Sequence, residues 1–138
     1  MHLALCVDER LGLSFHQRRQ SRDRLLCADW LRDCGAHPLH LHPDSVPLFA
    51  PFSHPLLPSA DFLLTAQEDD YCFAEGIALQ PLVHRVQTLV LYQWNRHYPA
   101  DCSLDIDPLG CGFVLAESYD FAGHSHPCIT KQIYRRSV

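Results

Sequence analysis

A chain of 138 residues, 47 % of them hydrophobic, has the size of one domain and enough apolar material for one core. Its formal net charge of -5 excludes a bulk electrostatic hold on DNA or RNA, which requires a basic face. Seven cysteines with no CxxC pair argue against a disulfide framework and for a reducing cytoplasm.

Leu3-Ala4-Leu5-Cys6-Val7 is a short apolar run that stops at Asp8 and reads as a buried strand. It has no basic lead and no small-residue cleavage site, so it is not a signal peptide. No apolar run approaches the roughly 18 residues that a membrane span needs. Residues 9–20 read as a polar loop. A helix is expected from Ser21, whose hydroxyl can cap it, and Leu26, Cys27, Trp30, Leu31 and Cys34 form its apolar stripe. Gly35 is a natural stop.

Pro38 to His42 alternates like a half-buried strand. Pro43, Pro47, Pro51, Pro55 and Pro58 forbid a regular helix or a central strand between them, while Phe49, Phe52, Leu56 and Leu57 tie that loop to the body. Asp61–Thr65 and Tyr71–Ala74 are short strand candidates. Residues 77–85 stay open between helix and loop because of Pro81. Val86 to Gln93 is the strongest strand. Leu104, Ile106 and Phe113-Val114-Leu115 suggest one or two more, and Ser125 with Pro127 marks a last short helix. Strand, helix, strand at the start favours a parallel unit. The expected architecture is one α/β domain over residues 1–138, with a mostly parallel or mixed sheet of about four to six strands and two to three helices.

Four polar clusters sit where apolar runs end: Asp8 with Arg18, Arg19, Arg22 and Arg24; Glu75; Trp94, Asn95 and Arg96 with Asp101; and Ser125, His126, Thr130 and Lys131. Open α/β sheets place their ligands at one such edge. Guanidinium groups beside a helix N-terminus suit an anion. Arg96 either binds a phosphate or locks onto Asp101, Asp105 or Asp107; Trp94 either stacks on a planar ring or fills the core. His126 is the expected proton carrier, with Lys131 and Asn95 stabilising negative charge. Asp8, Arg18, Arg19, Arg24, Glu75, Trp94, Arg96, Asp101, Ser125 and Thr130 are the expected ligand contacts. His124, Ser125, His126 and Cys128 hold only a fragment of a zinc site, and no metal or other cofactor is expected; a metal enzyme using His124, His126 and Asp105 or Asp107 is the weakest reading.

The strings His16–Arg24, Tyr92–Asp101 and Ser125–Tyr134 resemble a family of small bacterial proteins often given the name ribonuclease Z. The chain lacks the His-x-His-x-Asp-His motif of the metallo-β-lactamase enzymes of that name, so the resemblance implies a coherent fold and a shared polar site. Two functions follow as expectations. One is an enzyme, of hydrolase or nuclease type, acting on a phosphate-containing substrate such as a nucleotide or an RNA phosphodiester. The other is a non-catalytic nucleotide-binding protein or an immunity-type inhibitor of a basic protein. A small anionic ligand or nucleotide is the expected partner, a protein partner is open, and neither DNA nor a membrane is expected.

Overall fold

The computed structural model describes residues 1–137. The first strand, β1 (His2–Val7), has Leu3, Leu5 and Val7 on one face and Ala4 and Cys6 on the other, all but Cys6 fully buried. A hairpin follows, β2 (Gly12–Phe15) and β3 (Arg18–Arg19). Its two central residues, His16 and Gln17, have φ of 50° and 61°, the left-handed pair that matches strand twist in a two-residue turn. Helix α1 (Arg24–Cys34) is capped not by Ser21 but by Asp23, whose Oδ1 accepts from the amides of Leu25 (2.9 Å) and Leu26 (3.2 Å). Gly35 (φ 59°) closes the helix as expected, donating to the carbonyls of Leu31 and Arg32.

The proline-rich stretch contains β4 (Leu39–Leu41), a helical turn α2 (Val46–Phe49) and β5 (Leu56–Pro58). Prolines permit β5 because it lies at the sheet edge. Residues 62–65, expected as strand, form the helical turn α3 (Phe62–Thr65), which buries Phe62 and Leu63. After β6 (Tyr71–Phe73), residues 80–85 make a 3-10 segment, and β7 (Thr88–Gln93) follows. Short β8 (Cys102–Ser103) joins the hairpin, and Leu104 and Ile106 belong to no strand. The C-terminal part is a long antiparallel pair, β9 (Phe113–Phe121) and β10 (Ile129–Arg136), where a helix after Ser125 was expected. Ile129, Lys131 and Ile133 alternate inward there, a period of two that overrides the capping signal at Ser125.

The main sheet is mixed, with seven strands in the order β5-β4-β6-β1-β7-β10-β9; a second sheet is β3-β2-β8. Strands β5, β4, β6, β1 and β7 run parallel, and β10 is antiparallel to β7 and β9. One face is covered by α1 through Leu26, Trp30 and Leu31 against Ala4, Phe73, Val90 and Tyr92. The other is covered by Phe62, Leu63 and Leu79 against Leu3, Leu5, Leu89 and Leu91. Trp30 is 1 % exposed, and truncating it to Ala costs about 3–5 kcal/mol. This sandwich leaves the carboxyl ends of β1, β4, β6 and β7 facing the loops that carry most of the polar clusters.

Candidate functional site

At the carboxyl end of β1, Asp8 is buried and fully used. Its Oδ1 accepts from the amides of Arg10 (2.8 Å) and Gly12 (2.7 Å), and its Oδ2 from Gln20 Nε2 (3.2 Å) and the Tyr98 amide (3.2 Å). Burial pushes its pKa up, but these four donors outweigh it and hold the carboxyl below its usual value. Asp8 therefore pins the hairpin base to the segment after β7. It is a scaffold group.

Arg19 reaches from β3 to the end of β6, where Nε and Nη2 meet the two oxygens of Glu75 at 2.9 and 3.0 Å. Glu75 also accepts from Ser45 Oγ (2.7 Å), and Arg19 Nη2 donates to the Asp44 carbonyl (3.0 Å). The side chains are about one quarter exposed (31 % and 22 %), so this bidentate pair stands at the cleft wall. The Glu75 hydrogen bond raises the pKa of Arg19 further. Arg18 is exposed and, among the described residues, meets no carboxylate. Asp101 accepts the His16 amide (3.1 Å) and thereby holds the hairpin turn.

Two clefts meet at Arg18 and Arg19. One, about 450 Å³, is lined by Ser14, Gln17, His42, Asp44, Ser45, Glu75, Gly76, Asp101 and Cys102 as well. The other, about 590 Å³, adds Phe15, His16, Gln20, Tyr98 and Pro99. Both are of ligand size. Gly76 has φ 60°, and a Cβ there would stand 3.0 Å from Ser14 Oγ, so only glycine keeps this wall open. Inward of Arg19, between α1 and the strand ends at Cys6, Phe73 and Trp94, the cavity shrinks to about 20 Å³, room for one water.

The remaining predicted residues lie elsewhere. His126 is buried, with Nδ1 3.0 Å from Asp23 Oδ2 and Nε2 3.0 Å from Ser21 Oγ and 3.1 Å from the Tyr98 hydroxyl. Trp94 stacks on its ring at 4.5 Å. Asp23 also accepts from the amides of His124 (3.0 Å) and Ser125 (2.9 Å). Burial raises the Asp23 pKa, but the bonds from His124, His126 and Ser125 outweigh it and leave the carboxyl far below its usual range. A carboxylate thus occupies the N-terminus of α1, where an anion was expected to bind. Arg24 is exposed on the first turn, in a separate cleft with Pro47, Pro51 and Phe52. Asn95, at φ 56°, donates to Thr130 Oγ1 (2.8 Å), which donates to Asp120 (2.6 Å). Arg96 is exposed beyond it.

Lys131 is not at the edge. It is 1 % exposed, and its Nζ bridges Asp29 (2.7 Å) and Asp33 (2.6 Å) of α1. Its charge serves the α1–β10 contact and is unavailable to a ligand in the clefts. Sequence reasoning thus brought Arg18, Arg19, Glu75 and Asp101 to one cleft. It missed Ser45, His42, Gln17, Gly76 and the aromatic wall of Phe15, His16 and Tyr98. Glu75-Gly76 directly after an apolar run was the available signal for Gly76.

No family model matches the chain, and no curated protein matches it in sequence. Among solved structures it is similar to dihydrofolate reductase from Enterococcus faecalis complexed with NADP(H) and RAB-propyl, with a TM-score of 0.66 at 8 % identity, covering 99 % of this chain and 97 % of that one. The fold is dihydrofolate-reductase-like. This likeness, running over nearly the whole chain, overturns the expectation of a phosphodiester-acting hydrolase or nuclease and that of a non-catalytic inhibitor. The bonds of His126 and Lys131 agree with that correction.

Proposed function

We propose that this protein is of oxidoreductase type and takes a nicotinamide dinucleotide across the Arg18–Arg19 ridge. Two clefts that share Arg18 and Arg19 in their lining carry the reading. A dinucleotide has that shape: two planar ends joined by an anionic bridge. The fold neighbour is a complex with NADP(H).

The residues fit such a ligand. Arg18 offers unpaired donors to the bridge, and Arg19 is already oriented by Glu75. The carboxylates nearby do not forbid it: Glu75 is neutralised by Arg19, Asp101 is bonded to the hairpin amide, and Asp44 stands 90 % exposed at the rim. Phe15, His16 and Tyr98 give one planar end surfaces to lie against. His42 and Gln17 give the other end hydrogen-bonding partners. The inner cavity of about 20 Å³ admits no ring, so both ends lie in the outer clefts. When bound, the dinucleotide would supply hydride chemistry. The chain's own part is to bind and orient it. All seven cysteines are free, which goes with a reducing cytoplasm, and no helix among the described residues is long and apolar enough to cross a membrane.

Titration of the purified protein with NADPH tests this by fluorescence. Saturable binding is expected, weakened about tenfold or more in Arg18→Ala with an unchanged melting temperature, since one charged contact is worth about 1.5–3 kcal/mol. Loss of reduced-dinucleotide absorbance on adding dihydrofolate or another reducible heterocycle reports turnover. The absence of binding by NADPH, NADH and NADP⁺, or equal binding by Arg18→Ala, overturns the reading.

A further inference from the structure

We propose that the cleft between the start of α1 and the proline-rich wall around α2 is a second binding site, for a small organic carboxylate with an apolar body. This site is independent of the dinucleotide reading, since Arg18 and Arg19 do not line it. The cleft measures about 500 Å³, a ligand-sized space.

One wall is apolar and stiff. Pro47, Leu48, Pro51 and Phe52 form it, and the two prolines fix the backbone that presents it. A surface preformed in this way loses little freedom when a ligand covers it. The lining also holds Arg22 and Arg24, both exposed. Among the described residues neither guanidinium group has an ion-pair or hydrogen-bond partner. The acids of α1 are taken up elsewhere, Asp29 by Arg32 and Lys131 and Asp33 by Lys131, and Glu75 holds Arg19. The helix dipole disfavours cations at this end of α1, so two of them without a partner break a local rule with no structural gain.

One carboxylate also lines the cleft, that of Asp23, and it is spent. It is 3 % exposed; its Oδ1 accepts from the amides of Leu25, Leu26 and His124, and its Oδ2 from the Ser125 amide, with His126 Nδ1 alongside. The helix amides are therefore satisfied, and a ligand anion falls to the two arginines. Ser125 Oγ is engaged as well, 3.2 Å from both the Arg22 carbonyl and Asp23 Oδ2. Two guanidinium groups against one buried carboxylate leave one negative charge to be supplied, and the planar guanidinium fork matches a carboxylate with two donors. The rest of the ligand then covers Pro47, Pro51 and Phe52, where burial adds affinity and leaves no polar group to satisfy.

Isothermal titration of the full chain with hydrocinnamate tests the proposal against two analogues. Hydrocinnamamide keeps the body without the charge, and acetate keeps the charge without the body. Hydrocinnamate is expected to bind, and each analogue to bind at least about fivefold more weakly. In the double variant Arg22→Gln, Arg24→Gln the preference for the acid over the amide is expected to vanish. Both positions are exposed, so the melting temperature is expected to hold. Arg18→Ala, outside the cleft, is expected to bind hydrocinnamate as the native chain does, which separates this site from the dinucleotide clefts. No hydrocinnamate binding at millimolar concentration, equal binding of the amide, an unchanged preference in the double variant, or loss of binding in Arg18→Ala each overturns it.

Discussion

Asp23 does at residue level what several surface charges could not. It terminates α1, holds the amides of His124 and Ser125, and orients the His126 ring. Its folded pKa lies below the unfolded value, so its stabilisation is complete above the usual carboxylate range of about 4 and is lost as the pH falls below it. Asp8 adds in the same direction. Urea midpoints are expected to hold steady from neutral pH down to about 5 and then drop steeply. Asp23→Ala should cost about 3 kcal/mol at neutral pH, because helix and loop amides lose their acceptor together, and should flatten the acid limb. The sequence placed Asp8 and His126 in polar clusters where apolar runs end, and such groups need partners because buried charge is costly. It could not show which partners: Asp23 meets residues about a hundred positions away, and Asn95 meets Thr130 instead of a ligand. Glu75 was legible as a candidate because it stands at the end of an apolar run, and Arg19 because it belongs to a cluster of arginines ahead of a helix, although only the topology brings β3 to β6.

Elements were legible where one period dominated. α1 and β7 follow directly from their apolar patterns. The segment after Ser125 offered two signals, a capping serine with proline and an alternation around Lys131. The strand prevailed because β10 finds two partners, β7 and β9, and because Lys131 turned inward meets α1. That contact is expected to behave as a unit. Lys131→Met leaves Asp29, 8 % exposed, without its buried cation, and should destabilise by about 3–5 kcal/mol in urea unfolding. Combining it with Asp29→Asn removes the stranded charge and should recover part of that loss, a non-additivity read from the double-mutant cycle. Residues 62–65 escaped the sequence reading because three apolar positions in a row fit a strand or one helical turn equally well.

For the whole molecule, the sandwich shields its thiols unequally. Burial pushes Cys27, Cys34 and Cys72 up to about 12, whereas Cys128 is exposed. Titration of the native protein with a thiol reagent should therefore label Cys128 first, and the three buried thiols only at the rate of global unfolding. The α/β class and a mixed sheet were readable from the order of strand and helix signals. The strand order was not, because adjacency in a sheet is decided by partners distant in the chain. β1 shows the consequence. It is synthesised early yet lies between β6 and β7, pairing with residues 71–73 and 88–93. While a ribosome is still making those segments, the most apolar strand of the protein has nowhere to dock. Folding must then be late and slow for a chain of this size, as non-local topologies are, and β1 stays exposed to aggregation until both neighbours have been made.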